Sequence, residues 1–337
     1  MILIRADANE VVGTGHIMRC LSLANAFNEI GEEVVFCTAD HRADDLIRGK
    51  GYKVICLDSD WTELKEDGIV QIAEEMKPEL ILVDSYYVTE EYMHKLRRAA
   101  PTAYLDDMNA HCWDVDYLIN YNIYADNFDY SAYRKSGAKL LTGPRYVPLR
   151  SEFKGIPKRI VKETVTDILV SAGGADPERI TEKIMQGICP GEKAIRFHFV
   201  VGALNPRIND IKKLQGDNII LHINEKNMSA LMSSCDIAIS AAGTTLYELC
   251  ATGLPTITYT LADNQLVPAK AFEEQHVMMS AGDCRDNSSF LDDLKSAVSK
   301  LANNHQLRCR CANNMQELVD GNGAERVAKI LARGNYR

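Results

Sequence analysis

Short apolar runs alternate with amphipathic stretches along most of the chain. That is the pattern of strands alternating with helices in parallel sheets. In the first half, strands are predicted over residues 2–5, 33–38, 53–57, 80–84, 102–106 and 117–120. Helical patterns lie between them, over 17–29, 42–49, 66–76 and 91–99. Gly31 and Gly51 fall where helices should stop. Leu80-Ile81-Leu82-Val83-Asp84 is apolar up to its closing acid, as suits a buried parallel strand that delivers a polar residue at its carboxyl end.

From Tyr121 the pattern weakens, and residues 155–163, rich in Lys and Arg, read as a linker. The pattern then restarts with strands over 166–171, 194–201, 218–222, 237–240 and 255–259. Helices are predicted over 179–188, 245–252, 268–275, 290–303 and 324–332. Two doubly wound α/β domains follow, over 1–155 and 164–337, with a cleft expected between the carboxyl ends of their sheets.

Composition adds exclusions. The chain has 337 residues, 46% of them hydrophobic and 25% charged, an ordinary globular balance. Its formal charge of −9, from 38 basic and 47 acidic residues, argues against a general nucleic-acid binder. The ten cysteines are scattered without CxxC spacing, so neither a zinc ribbon nor a disulfide framework is expected. The N-terminus enters a strand at once and lacks a secretion-signal layout, and no apolar run approaches the ~18–20 residues of a membrane helix. A cytoplasmic protein without stable membrane insertion is expected, as a monomer or weak homodimer.

Candidate chemistry clusters at strand ends. Gly13-Thr14-Gly15-His16 follows the first strand and opens a helix. Met18 stands where a dinucleotide fingerprint needs its third glycine, and there is no Walker lysine. His16 therefore reads either as a general base or as a loop histidine, and Arg19, one turn on, as a group for a phosphate or carboxylate or as part of a salt bridge. Ser240-Ala241-Ala242-Gly243-Thr244-Thr245 joins a strand to a helix through small residues, which lets a diphosphate approach backbone N–H groups; Glu248 could then accept both hydroxyls of a ribose. Gly173 and Gly174 form a similar loop, with Asp176 capping the next helix and Pro177 at its first position. Asp263, Asn264 and Gln265 suit sugar hydroxyl or amide groups. Asp84-Ser85-Tyr86 and Asp106-Asp107 end strands in the first domain; the paired acids read as one buried orienting acid plus a cap, and no metal is assigned.

These stretches together resemble the UDP-sugar hydrolase family of pseudaminic acid biosynthesis and the related spore-coat polysaccharide proteins. The resemblance begins at Ile4-Arg5-Ala6-Asp7 and Gly13-Thr14-Gly15-His16-Ile17-Met18-Arg19. It continues through Val83-Asp84-Ser85-Tyr86, Leu105-Asp106-Asp107, residues 146–153, residues 170–177 and residues 240–255. The chain departs from the pattern at Ser171-Ala172 and at Ser85, where a His often stands. The resemblance implies two Rossmann-like domains of GT-B architecture, the second holding UDP. It implies metal-independent, cofactor-free hydrolysis of UDP-2,4-diacetamido-2,4,6-trideoxy-β-L-altropyranose to the free sugar and UDP. It makes His16 the catalytic histidine and Tyr86 a tyrosine of the same site. Glu248 becomes the ribose-binding glutamate, Ala242, Gly243, Thr244 and Thr245 the diphosphate loop, and Asp263, Asn264 and Gln265 part of the sugar region. Gly15, Arg19, Arg150, Gly173 and Gly174 complete the expected substrate contacts. Two rival readings share the scaffold: a glycosyltransferase using a UDP-amino sugar, and a non-catalytic nucleotide-sugar binder.

Overall fold

The computed structural model describes residues 1–9, 13–64, 68–174, 176–202, 205–285 and 287–333. Glu66, where a helix was expected to begin, and Ala175 of the glycine loop lie outside them. The chain forms two compact units, Met1–Ser151 with the segment from Gly321 onward, and Glu152–Asp320.

The first unit holds a seven-stranded sheet. Its strands are β1 (Ile2–Ala6), β2 (Val34–Thr38), β3 (Lys53–Cys56), β4 (Leu80–Asp84), β5 (Thr102–Leu105), β6 (Tyr117–Asn120) and β7 (Lys139–Thr142), in the order β3-β2-β1-β4-β5-β6-β7. Every ladder is parallel. All residues of β1, β2 and β4 are buried, which is why these strands read as unbroken apolar runs. The helix Glu90–Ala99 shows how the covering layer forms. Thr89 caps it by accepting from the Tyr92 N–H, acids occupy its first turn and arginines its last. Its Tyr92, Met93 and Leu96 join Leu3, Ile81 and Val83 in one core.

The second unit holds β8 (Asp167–Ser171), β9 (Arg196–Val201), β10 (Ile219–Ile223), β11 (Ile237–Ala241), β12 (Thr256–Thr260) and β13 (Met279–Asp283). Their order is β10-β9-β8-β11-β12-β13, again all parallel. Each sheet therefore reverses its strand order once, between β1 and β4 and between β8 and β11. Loops at the carboxyl ends of strands flanking such a reversal splay apart and leave a crevice. The His16 loop follows β1, the Gly173-Gly174 loop follows β8, and the 240–245 loop leaves β11.

Two expectations change. The last helix, Gly323–Arg333, was expected with the second domain but packs with the first. Gly323 allows this, because a Cβ there would overlap the Tyr146–Val147 backbone, and Arg326 donates to the Arg145 carbonyl. The supposed linker is strapped to the second unit. Arg159 donates to the carbonyls of Cys235, Met232 and Thr252, and Arg308, fully buried, donates to those of Lys162 and Glu163. Arg159, one of the basic residues that suggested a linker, satisfies carbonyl groups of the second unit instead. Among the described residues no helix is long and apolar enough to cross a membrane.

Candidate active site

The loop after β1 is anchored before it reaches His16. Arg5, fully buried, pairs with Asp7 at 2.6 Å, and the other Asp7 oxygen accepts the Ala39 N–H at 2.7 Å. Asn9 and Gly13 form a bridge, with the Gly13 N–H on the Asn9 carbonyl. Gly13 has φ +69°, a conformation that a side chain resists. The helix Gly15–Glu29 then starts two residues before the expected position, so His16 lies in its first turn.

His16 is only 7% exposed, and its Nδ1 stands 2.6 Å from Asp84 Oδ1 at the end of β4. A carboxylate only accepts, so the contact requires Nδ1–H, and in the neutral ring the lone pair is then on Nε2. Among the described residues Nε2 has no hydrogen-bond partner. The Tyr86 ring meets the imidazole edge-on, with centroids 4.8 Å apart.

Arg19 ties the site together. Its Nε and Nη2 donate to the two oxygens of Asp84 at 2.6 and 2.5 Å. Its Nη1 donates to Asp107 at 2.9 Å and to the Tyr121 hydroxyl at 2.8 Å. Asp107 also accepts from the Tyr86 hydroxyl at 2.7 Å and from Asn122 Nδ2 at 3.2 Å. The carboxylates Arg19 was expected to reach are thus the protein's own. Burial would raise the Asp84 pKa, but Arg19 and then His16 outweigh it and hold the carboxyl well below the usual range. Asp106 differs. It accepts the N–H groups of Met108 and Asn109, and burial still leaves its pKa raised. The buried acid, Asp106, thus closes a turn with no helix behind it to cap, and the orienting acid is Asp107.

The structure brings Gly15, His16, Arg19 and Tyr86 together at the β1–β4 reversal. Arg150 is half-buried just before the turn Ser151–Phe153, at the end of this unit's main segment. Tyr121 and Asn122 were missed in the sequence, although both directly follow the end of β6.

In the second unit the expected residues occupy loops at carboxyl ends of strands or the first turn of the helix Thr245–Thr252. Gly243 and Thr244 are exposed beyond β11, and Ala242 is buried with its N–H on the Tyr259 carbonyl. The backbone N–H groups of Thr244 and Thr245 have no partner among the described residues, at the start of the helix Thr245–Thr252. Glu248 is half-buried in that helix's first turn. Gly174 and Gly243 have room for a Cβ and no positive φ, so the fold itself does not require glycine at either position. Gly173, at φ +79°, is needed for the turn.

Asp176 accepts the N–H groups of Ile180 and Thr181, as a cap should, but from further upstream than expected. The helix is Ile180–Gly187 and Arg179 is left-handed at φ +56°, so Pro177 precedes the helix rather than starting it. Asp263–Gln265 is a short 3-10 turn in which Arg285 holds Asp263 at 2.8 Å and Gln265 accepts the Leu261 N–H. Asn264 is exposed.

The model of the glycosyltransferase family 28 C-terminal domain matches residues 170–329. The Methanocaldococcus jannaschii protein MJ1062 is 26% identical over 281 residues, 79% of this chain but 56% of that protein, so the match spans little more than half of that relative. The Bacillus subtilis spore coat polysaccharide biosynthesis protein SpsG is 25% identical over 336 residues, covering 97% of this chain and 96% of SpsG. The Campylobacter jejuni UDP-2,4-diacetamido-2,4,6-trideoxy-β-L-altropyranose hydrolase is 26% identical over 253 residues, 73% of this chain and 86% of that enzyme. In fold, the crystal structure of Acinetobacter baumannii MurG superimposes with a TM-score of 0.69 at 14% identity, over 98% of this chain and 99% of that one. Two parallel-sheet domains and this likeness show a GT-B fold, and the chain's sequence relatives include the UDP-sugar hydrolase and SpsG.

Proposed function

We propose that the protein hydrolyses a UDP-linked 2,4-diacetamido-2,4,6-trideoxy sugar, with His16 as general base. The observation that carries this reading is the fixed imidazole. Nδ1–H is spent on Asp84 and Nε2 has no partner among the described residues, which in the neutral ring is the state a base needs to take a proton from water. Water oxygen bonds to the anomeric carbon as the bond from that carbon to the diphosphate oxygen breaks. UDP leaves with the bonding electrons, His16 takes the water proton, and Asp84 stabilises the imidazolium. The displacement inverts the anomeric centre.

The diphosphate is assigned to the 240–245 loop. The open N–H groups of Thr244 and Thr245 support that assignment, because donors aimed at the leaving oxygens stabilise charge as it develops. No metal is needed for that step. Glu248 is assigned to the ribose, and Asn264 with its neighbours to the sugar. The sugar itself is taken from the Campylobacter relative's name.

The test is incubation with UDP-amino sugars and no acceptor, in ¹⁸O-water. Release of UDP with label in the sugar is expected. Label in UDP would mean attack at phosphorus, and no release would leave a binder. A transferase is the second reading, favoured by the family 28 domain and the MurG likeness. It predicts UDP release only when an acceptor hydroxyl is supplied.

A further inference from the structure

We propose that His41, Cys56 and Asp58 form a binding site for a borderline-soft divalent cation of the zinc class, separate from His16. All three lie at the carboxyl edge of the first sheet, where β2 and β3 end side by side with Thr38 opposite Cys56. His41 opens the turn after β2, Cys56 is the last residue of β3, and Asp58 follows it. Backbone bonds hold the two loops together: the Leu57 N–H donates to the Thr38 carbonyl and the Ser59 N–H to that of Ala39.

One donor atom from each side chain, a nitrogen, a sulfur and an oxygen, lies within 4.8 Å of the other two. Cys56 Sγ is 3.3 Å from Asp58 Oδ1, and His41 Nε2 is 3.9 Å from the same oxygen. Around a tetrahedral zinc, ligand atoms stand roughly 3.3–3.7 Å apart, so only a small contraction is required. A nitrogen, sulfur and oxygen set favours zinc or cobalt over calcium or magnesium.

The second observation is what lies behind the histidine. His41 Nδ1 stands 2.9 Å from Asp44 Oδ2, which makes Nδ1 the donor and presents Nε2 to the cluster. Carboxylate, imidazole and metal in that sequence is how histidine ligands are held in many metal sites. The other Asp44 oxygen is buried with no partner among the described residues. Two cationic side chains stand nearby. Arg48 reaches Asp44 at 3.3 Å, and Arg42 is engaged with Asp40. Neither is bonded to Cys56 or Asp58 among the described contacts. On coordination the thiol gives up its proton to solvent, and water completes the shell on the exposed side.

Cobalt(II) titration of the full-length, reduced protein tests this. A saturable complex with one cobalt and a thiolate-to-cobalt charge-transfer band in the near ultraviolet is expected, displaced by zinc. Cys56→Ser should abolish the band, and Asp44→Asn should weaken binding roughly 10–100-fold. His41→Ala should weaken it at least as much. Cys309→Ser, beside His305 in the other unit, should change nothing. His41 and Asp58 are exposed, so far-ultraviolet circular dichroism should confirm folded variants. Binding that survives both His41→Ala and Cys56→Ser, a complex without a thiolate band, or no saturable binding would overturn the proposal. None of these readouts depends on UDP-sugar hydrolysis.

Discussion

His16 Nδ1 and Asp84 Oδ1 are 2.6 Å apart although 68 residues separate them in the chain. They meet because β1 and β4 are neighbours, with Ala6 opposite Asp84. The loop leaving one strand then faces the acid ending the other. Asp84→Asn keeps the shape but offers an amide that can donate to Nδ1 and place the ring proton on Nε2. In a serine-protease triad the same change lowers turnover about 10⁴-fold. Turnover should fall at least ~100-fold here, as for His16→Ala, which removes the base itself. UDP affinity should change less than about twofold. Steady-state kinetics and calorimetry with UDP decide it, and near-normal turnover in either variant would remove the pair from the chemistry.

Arg19 is held by two carboxylates and a tyrosine, with its side chain 11% exposed. Removing one partner of a buried ion pair typically costs about 3–5 kcal/mol, because the remaining charge is stranded. Arg19→Ala strands both Asp84 and Asp107. Arg19→Lys restores charge but not the fork that spans both acids. Both tryptophans, Trp61 and Trp113, lie in the first unit, so their fluorescence reports that unit's unfolding in urea. The alanine variant should shift that transition most and the lysine variant less. Equal stability of wild type and alanine variant would show that the network contributes nothing to holding the site.

How much of this could be read from the sequence depends on where each residue sits. β4 was legible because it is buried on both faces and its apolar run is unbroken. The edge strands β7 and β13 were not. Their exposed and half-buried positions give no apolar run, and Gly282 interrupts the second. The helix His305–Leu318 was missed for a related reason, since its buried face includes Arg308 as well as Cys311 and Met315. His16 could be singled out from its glycine turn, and Asp84 from its position at a strand end. Their pairing follows from strand order, which no local pattern encodes. Tyr121 lay hidden in the stretch where periodicity fades, so the outer support of Arg19 was invisible.

Asp167, at the start of β8, gives a pH signature in the other unit. It accepts from Arg196 and His198 at 2.8 and 2.9 Å. Burial opposes the charged form, but these bonds and that from Thr166 outweigh it and lower the pKa to about 2. An aspartate in the unfolded chain titrates near ~3.9. A depressed folded pKa contributes stability above the unfolded value, and the contribution is lost as pH falls toward the folded value. The difference corresponds to at most about 3 kcal/mol at neutral pH, less after screening of the exposed Arg196. Asp167→Asn should therefore destabilise the second unit at pH 7, with the gap to wild type narrowing below about pH 4. Circular dichroism followed against pH in wild type and variant reports this difference. A gap independent of pH would mean that the charge on Asp167 is irrelevant.

Gly243 separates a glycine needed by the fold from one needed by a ligand. A Cβ there would meet nothing within 4 Å, and its φ is not positive. Replacement by alanine should leave the second unit as stable, or slightly more so, because the unfolded chain loses freedom. A methyl group beside the open N–H groups of Thr244 and Thr245 would, however, occupy space that a diphosphate must enter if it binds that helix end. Gly174 meets the same two conditions on the loop after β8. Gly243→Ala should weaken UDP binding at least ~10-fold, or about 1.4 kcal/mol, without lowering the melting temperature. Gly174→Ala should weaken it in the same way if that loop touches the nucleotide. Calorimetric titration with UDP, paired with thermal unfolding, distinguishes the outcomes. Unchanged affinity in Gly243→Ala would move the diphosphate away from the 240–245 loop, whereas lost affinity with lost stability would mean that the glycine serves the fold.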